Sequence, residues 1–384
     1  APLRPPFPRA RRTGPGADDF PGGDGPLPVS DQHWPNQGSR DFVAAATQLQ
    51  LPHNRDFNGA RQEGFGLYQV TQKDGERWSA ARAYVEPKRG SRNLDVRIGV
   101  TVQKIEIDDG RVTGVRGRDK SGSPLTEDAK IVIGADGKHS LLARAVQAPE
   151  YNAVPSLSCF YYTYWSGVPV DGYEDYWPGK KFIMTIPTND DITLIVMAWP
   201  RDQFHTIRAN IEKNYMDTID LVPGLAERVR EGHREERFYG TADIPNFFRK
   251  PCGPGWALVG DAGYNKDPIT AFGISDAFRD AQLLSEAIDD GMSGRAVLEE
   301  ALGEYERRRN ESAMPLYETT LRAAEYDQHH PRSLELRAAL RGNQPDTDLF
   351  MGVLTGSVPK EEFFNSQNPR RILSRAPARG GRRL

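Results

Sequence analysis

Apolar and polar positions alternate over Leu94, Val96 and Ile98, and apolar residues continue through Val100, Val102, Ile105 and Ile107. After the turn residues Asp108-Asp109-Gly110 the pattern resumes at Val112 and Val115. This period of two predicts a strand followed by a β-hairpin. Lys130-Ile131-Val132-Ile133-Gly134 is a short apolar run of the kind buried in a parallel sheet, and Trp256–Gly260 is a second. Between them, Ser156–Trp165 is an aromatic-rich strand, and Lys181–Pro187 and Asp191–Trp199 are two more, joined by a turn at Thr188-Asn189-Asp190. Residues 202–235 read as helical, as do 273–345, with breaks near Gly291 and Pro315. Towards the front, Asp41–Leu49 predicts a short helix with Ser39 near its cap. Gly64–Gln72 is extended into the turn Lys73-Asp74-Gly75, and Ser79–Val85 is expected to be one amphipathic helix stopped by Pro87.

Composition changes this picture at the two ends. The first 30 residues hold eight prolines and five glycines, so 1–36 is expected to be disordered. Residues 368–384 carry six arginines and no acid, which predicts a solvated basic tail. The whole chain of 384 residues has 50 basic and 53 acidic side chains, a net charge of −3, and so lacks the basic footprint of a nucleic-acid-binding protein. Two cysteines exclude a disulfide framework or a cysteine zinc site. The adjacent His329 and His330 point about 100° apart in a helix and cannot chelate one metal together. No apolar run is long enough to span a membrane, and the N-terminus has no signal-peptide core, so a cytoplasmic location is expected.

The sharpest local pattern runs from Trp256 to Phe278. An apolar strand ends at Gly260-Asp261, a loop containing Pro268 follows, and a helix opens near Gly273. The helix is expected to bury Ile274, Ala277, Phe278, Ala281, Leu284 and Ile288, spaced at i, i+3, i+4 and i+7. A carboxylate at the carboxyl end of a strand suits a hydroxyl-rich ligand, because it accepts charge-assisted hydrogen bonds. The free N–H groups of the following helix offer partial positive charge to an electron-rich ring edge. Asp267 and Asp276 are expected to be solvated or capping. A second strand-turn-helix, Ile131 to Arg144, uses Gly137 for the turn and Ser140 as a helix cap.

Gly260-Asp261-Ala262-Gly263-Tyr264, Pro268 and Gly273-Ile274-Ser275 together resemble the second FAD-contacting motif of the para-hydroxybenzoate-hydroxylase-like (class A) flavoprotein monooxygenases. The resemblance assigns Asp261 to the ribityl chain of FAD, Pro268 to the neighbourhood of the isoalloxazine ring, and Gly273, Ile274 and Ser275 to the helix start facing the flavin. Three positions depart from the family pattern: Tyr264 stands where His is common, Ala271 where Gly is usual, and Ser275 where Asn is usual. Ile131–Arg144 resembles the Asp-Gly motif of the same family, which implies a role for Asp136, Gly137 and Arg144 in binding FAD and the nicotinamide cofactor. The family's antiparallel sheet covers the substrate, which makes Tyr162, Tyr164 and Trp165 a candidate pocket wall. The implied reaction uses NAD(P)H and O2 to oxidise a small organic substrate, with FAD carrying the chemistry.

The front of the chain resembles a different family. Gly25–Ser30, Asp56–Gly59, Gln62–Gly64, Tyr68–Gln72, Arg77–Ala81 and Asn93–Arg97 are similar to an interior segment of the glucose-methanol-choline (GMC) oxidoreductases. No catalytic His of that family is matched near the C-terminus, and no Gly-x-Gly-x-x-Gly follows a strand anywhere in the chain. The two resemblances, over about 17–115 and about 110–365, meet at the hairpin between Val100 and Arg118. They imply an α/β (α+β) chain with an incomplete FAD-binding three-layer fold. Its expected parts are a disordered segment 1–36, a GMC-like segment 37–92, an FAD-binding domain 93–150 and 246–300, a mostly antiparallel substrate-domain sheet 151–245, C-terminal helices 301–367 and the tail 368–384. Two rival functions remain open: a GMC-type alcohol oxidoreductase, and a non-catalytic remnant that holds no FAD.

Overall fold

The computed structural model of the chain describes residues 11–12, 25–57, 63–326, 331–354, 358, 360–365 and 367–374. Two compact units are present, one formed by Pro5–Pro155 with Pro245–Pro315 and one by Ser156–Ile244 with Leu316–Leu384. Among the described residues no helix is long and apolar enough to cross a membrane.

The first unit is organised around a parallel pair. Strand β1 (Val132–Gly134) lies beside strand β2 (Trp256–Leu258), with Val132 opposite Trp256 and Gly134 opposite Leu258. Both apolar runs thus become strands and pair as expected. The burial differs: β2 is fully buried, whereas Ile133 on β1 is 47% exposed. Among the described residues β1 is the outer strand of its three-stranded sheet. A short helix, α1 (Leu141–Ala145), follows β1, with Leu142 buried against Trp256, Leu258 and the hairpin residues Ile105 and Val112. That hairpin, Thr101–Asp108 with Arg111–Arg118, pairs antiparallel around the expected turn. Helix α2 (Gly273–Met292) and helix α3 (Leu298–Ala323) bury Leu283, Leu284, Leu302 and Tyr305 against Ala257 on the other side of β2. Pro315 sits inside α3 and does not end it, contrary to the expected break.

The front segment is ordered from residue 25 onward, which corrects the expectation for 25–36; residues 1–10 and 13–24 lie outside the described residues. Leu27 is buried, and Ser30 and Val70 exchange backbone hydrogen bonds at 2.9 Å. Among the described residues the earliest helix is Gln37–Gln48; it is capped not by Ser39 but by Asn36, whose side chain accepts from the Gly38 N–H. Leu94, Val96 and Ile98 form no strand, and they are exposed together with the polar residues between them.

In the second unit, Ser158–Ser166 pairs antiparallel with Ile192–Pro200, which pairs in turn with Phe182–Pro187. Period-two alternation sorts the central strand. Cys159, Tyr161 and Trp165 face a core with Trp199, Tyr215 and Leu225, while Phe160, Tyr162 and Tyr164 are half-buried on the opposite face. The helical stretch 202–235 resolves into Phe204–Ala209, Ile211–Ile219 and Pro223–Glu231. The expected basic tail begins as a helix, Asn368–Ser374, whose Ile372 is buried and whose Arg371 pairs with Asp346. Residues 375–384, and His329 and His330, lie outside the described residues. Both cysteines are free and buried, and burial pushes each thiol up to about 11.

The loop after β2 stores strain at one residue. The short 3-10 turn Pro268–Thr270 ends on Ala271, whose φ of 58° is left-handed. An L-residue pays about 1–2 kcal/mol there, and glycine recovers most of that at an entropic cost of about 0.5–1 kcal/mol. Ala271→Gly is therefore expected to stabilise the protein by about 0.5–1 kcal/mol, seen as a thermal midpoint raised by roughly 1–3 °C in calorimetry. The two strands of the parallel pair are expected to differ sharply under urea denaturation. Leu258→Ala, in the fully buried strand, costs about 2–5 kcal/mol, while Ile133→Thr, on the open edge, stays within about 1 kcal/mol of the wild type.

Candidate functional site

The backbone turns at Gly260, where φ is 59°, so Asp261 stands just past the carboxyl end of β2. The loop that follows returns to the start of α2 and encloses a cavity of about 220 Å³. Asp261, Lys266, Pro268, Ala271, Gly273 and Ile274 all line it. Phe272 precedes the helix and supplies no side-chain cap, so the first N–H groups of α2 open on the cavity side without a capping partner from that residue. A Cβ added at Gly273 would meet nothing within 4 Å. Asp261, Pro268, Gly273 and Ile274 are thus brought together, as the sequence pattern implied. Ser275 is half-buried in the same helical turn but is not part of the lining.

Helix α2 buries the expected stripe only in part: Leu284 is buried, and Ala277, Phe278 and Ile288 are half-buried. Ile274 is 62% exposed and Ala281 is exposed, while Asp276, Asp280, Leu283, Leu284 and Ala287 face inward. Asp276 and Asp267 are consequently buried rather than solvated. Asp267 does cap, accepting from the Ile269 N–H at 3.0 Å. Asp276 pairs with Lys266 and, at 2.6 Å, with Arg279. Arg279 also pairs with Asp280 at 2.7 Å, and burial raises the Asp280 carboxyl above its ordinary range. Lys266, with its ammonium 4.8 Å from the centre of the Tyr264 ring, escaped the sequence reading; its only signal there was a lone cation in a loop of small and acidic residues.

The Asp261 side chain is solvent-accessible, yet partial burial raises its carboxyl above the usual value. Lys266 and Lys138 pull it back down, and Asp276 pushes it up. Lys138 belongs to the Asp-Gly motif, so the two motifs lie within electrostatic reach of each other. Asp136 itself accepts from the Leu141 N–H at 2.7 Å, and Ser140 accepts from Ala143 at 3.0 Å, so both side chains cap α1. Gly137 turns with a φ of 76°, and Arg144 is exposed in the last turn of that helix. Asp136, Gly137 and Arg144 do not line the cavity. In the second unit, Tyr162 and Tyr164 share a face, with Tyr239 stacked on Tyr162 at 5.4 Å. Trp165 lies on the opposite, core-facing side and drops out of the candidate wall, because adjacent strand residues point to opposite faces.

The donor set suits the ring-and-ribityl end of FAD: a carboxylate acceptor, a proline face and an opening helix N-terminus with a glycine in its first turn. It contains no counterpart of the glycine-rich turn that grips a pyrophosphate.

Residues 10–149 match the family described as GMC oxidoreductase. Within it, the alcohol dehydrogenase [acceptor] of Pseudomonas putida is 43% identical over 97 residues, 25% of this chain and 18% of that protein. The oxygen-dependent choline dehydrogenase of Rhizobium etli (strain CIAT 652) is 40% identical over 115 residues, 30% of this chain and 21% of that protein. The chain therefore spans about a fifth of the length of these curated relatives. Among solved structures, the myxobacterial chondrochloren halogenase CndH, described as a variant of the FAD-dependent halogenases, has a TM-score of 0.53 and 20% identity, covering 73% of this chain and 70% of that one. The flavin-dependent brominase Bmp2 has a TM-score of 0.51 and 18% identity, covering 72% and 68%. In sequence, then, the front of the chain is similar to the GMC oxidoreductases, and in fold most of the chain is similar to flavin-dependent halogenases.

Proposed function

We propose that the chain is an FAD-dependent oxidoreductase of the monooxygenase-like class, using NAD(P)H and O2 to oxidise a small organic substrate. The observation that carries this is the convergence of Asp261, at the carboxyl end of a buried parallel strand, and the uncapped start of α2 on one cavity. Ligands of open parallel sheets sit at that end of the strands. FAD, when bound, supplies the redox chemistry. The chain supplies the acceptor for the ribityl hydroxyls at Asp261, an apolar face at Pro268, and the partial positive charge of the first N–H groups at Gly273 and Ile274. Asp136, Gly137 and Arg144 are assigned to the same cofactor by motif resemblance, and Tyr162 and Tyr164 to the substrate.

The match of residues 10–149 to the GMC oxidoreductases favours a second reading, oxidation of an alcohol. Such a hydride transfer needs a base beside the flavin, and among the described residues no histidine lines the cavity. With FAD supplied and a panel of primary alcohols including choline, no peroxide release above background is expected. Turnover that His329→Ala or His330→Ala abolishes would reverse this conclusion.

Oxidised flavin bound to the purified protein absorbs near 450 nm, and a colourless protein that binds no added FAD would make the chain a remnant of the fold. Without the glycine-rich turn, several phosphate hydrogen bonds of about 1.5–3 kcal/mol each are missing, so FAD affinity is expected to be weaker than nanomolar in a fluorescence titration. Asp261→Ala should weaken it a further tenfold to hundredfold, and Asp261→Asn less. Only the ionised carboxyl accepts from both sides, and its pKa in the fold is raised. Affinity should therefore fall on acidification at a pH above the ordinary Asp value of about 3.9, and this step should vanish in Asp261→Asn. A raised pKa also means that the ionised form opposes folding above that pH and ceases to do so below about 3.9. Neither variant should accordingly lower the thermal midpoint of the FAD-free protein at neutral pH.

A further inference from the structure

Arg249 ends the strand Asn246–Arg249, which carries neither motif, yet its guanidinium touches both. Its Nη1 donates to the carbonyl of Lys138 and to the carbonyl of Ala262, each at 3.0 Å. Its Nε and Nη2 donate to Glu150 Oε1 at 3.0 and 2.8 Å. The guanidinium lies 4.0 Å from the centre of the Phe247 ring, and the side chain is largely buried. The backbone is fixed as well: the Arg249 N–H donates to Gly263 at 2.9 Å, and the Arg249 carbonyl accepts from Arg309 at 3.0 Å.

We infer that Arg249 is the positioning residue of the cofactor site, setting the distance between the Asp136–Lys138 turn and the Asp261 turn by holding one carbonyl of each. A planar guanidinium has donors in a fixed fork, so Glu150 on one edge fixes where the other edge points. Two carbonyls that accept from one nitrogen cannot drift apart independently. Lysine has a single nitrogen, and it cannot satisfy Glu150 and two carbonyls in the same plane.

The inference rests on the proposed FAD site for its functional consequence, but its geometric content is separable. The test uses the full-length protein with Arg249→Lys and Arg249→Met. Hydrogen exchange is followed at the Ser140 amide, which donates to Gly137, and at the Gly263 amide, which donates to Gly260. Both amides should exchange faster together in Arg249→Met, by tenfold or more. In Arg249→Lys, which keeps the charge beside Glu150, at least one should do so while the thermal midpoint stays close to wild type. FAD titrated at a temperature well below each midpoint should bind at least tenfold more weakly to both variants, with a changed shape of the bound-flavin visible band.

Unchanged exchange at both amides in Arg249→Lys overturns the inference, as does unchanged FAD affinity in a folded variant. Should the wild type bind no FAD, the proposed function fails and the exchange result alone decides whether Arg249 couples the two turns. If Arg249→Met does not fold, the lysine variant carries both measurements.

Discussion

Everything around the cavity depends on where four buried charges are neutralised. Lys266, Asp276, Arg279 and Asp280 form a continuous run of ion pairs between the loop after β2 and the first two turns of α2. Burying charge is costly, and such a run is weak as a source of stability, but breaking it leaves an uncompensated ion inside. Lys266 can meet Asp276 only if residues 264–272 fold back over the start of the helix. The loop held in this way carries Ala271 in its left-handed conformation, and Ile274 at the start of the helix is exposed.

The same pairing explains where the sequence misled. Hydrophobic periodicity placed the buried stripe of α2 on Ile274, Ala277, Phe278, Ala281, Leu284 and Ile288; it missed the inward-facing Asp276 and Asp280, because carboxylates look like solvent-facing residues when their partners are not known. Arg279 is adjacent in sequence to Asp280, but Lys266 comes from another element, and no local pattern announces it. Arg249 and the fully buried Arg309, which bonds Gly263, escaped for the same reason: their partners are backbone carbonyls far away in sequence. Local features were legible. The hairpin around Asp109, the strand pair on either side of Asn189, and both apolar runs form as their periodicity requires, since each is decided by neighbouring residues. The Asp261, Pro268 and Gly273 cluster was legible because it follows from one strand, one loop and one helix in succession.

The failures at Leu94–Ile98 and Ile133 have another cause. Their patterns are those of interior strands, but among the described residues Leu94–Ile98 pairs with no strand and β1 pairs with β2 alone. A period-two pattern reports what a segment can pair with, whereas pairing itself needs a second backbone. The GMC-like front nevertheless belongs to the same unit as the Asp261 cluster. Tyr84 packs on Phe278 of α2 with ring centroids 5.7 Å apart.

The parallel pair has a consequence for how the chain folds. Val132 and Trp256 are partners across roughly 120 residues of sequence. Closing so long a loop from a disordered chain is slow, since its entropy must be spent before any contact forms. Most of that span is the antiparallel sheet and helices of 156–244, whose hairpins are local. Asn246 is paired with Val154, and the Ile244 N–H donates to Ser156 at 2.8 Å, so the two ends of the insertion meet once it has folded. The insertion then acts as an intramolecular clasp that reduces a loop of over a hundred residues to a short one. With the insertion folded, bringing Val132 to Trp256 costs less closure entropy than it would from a disordered chain.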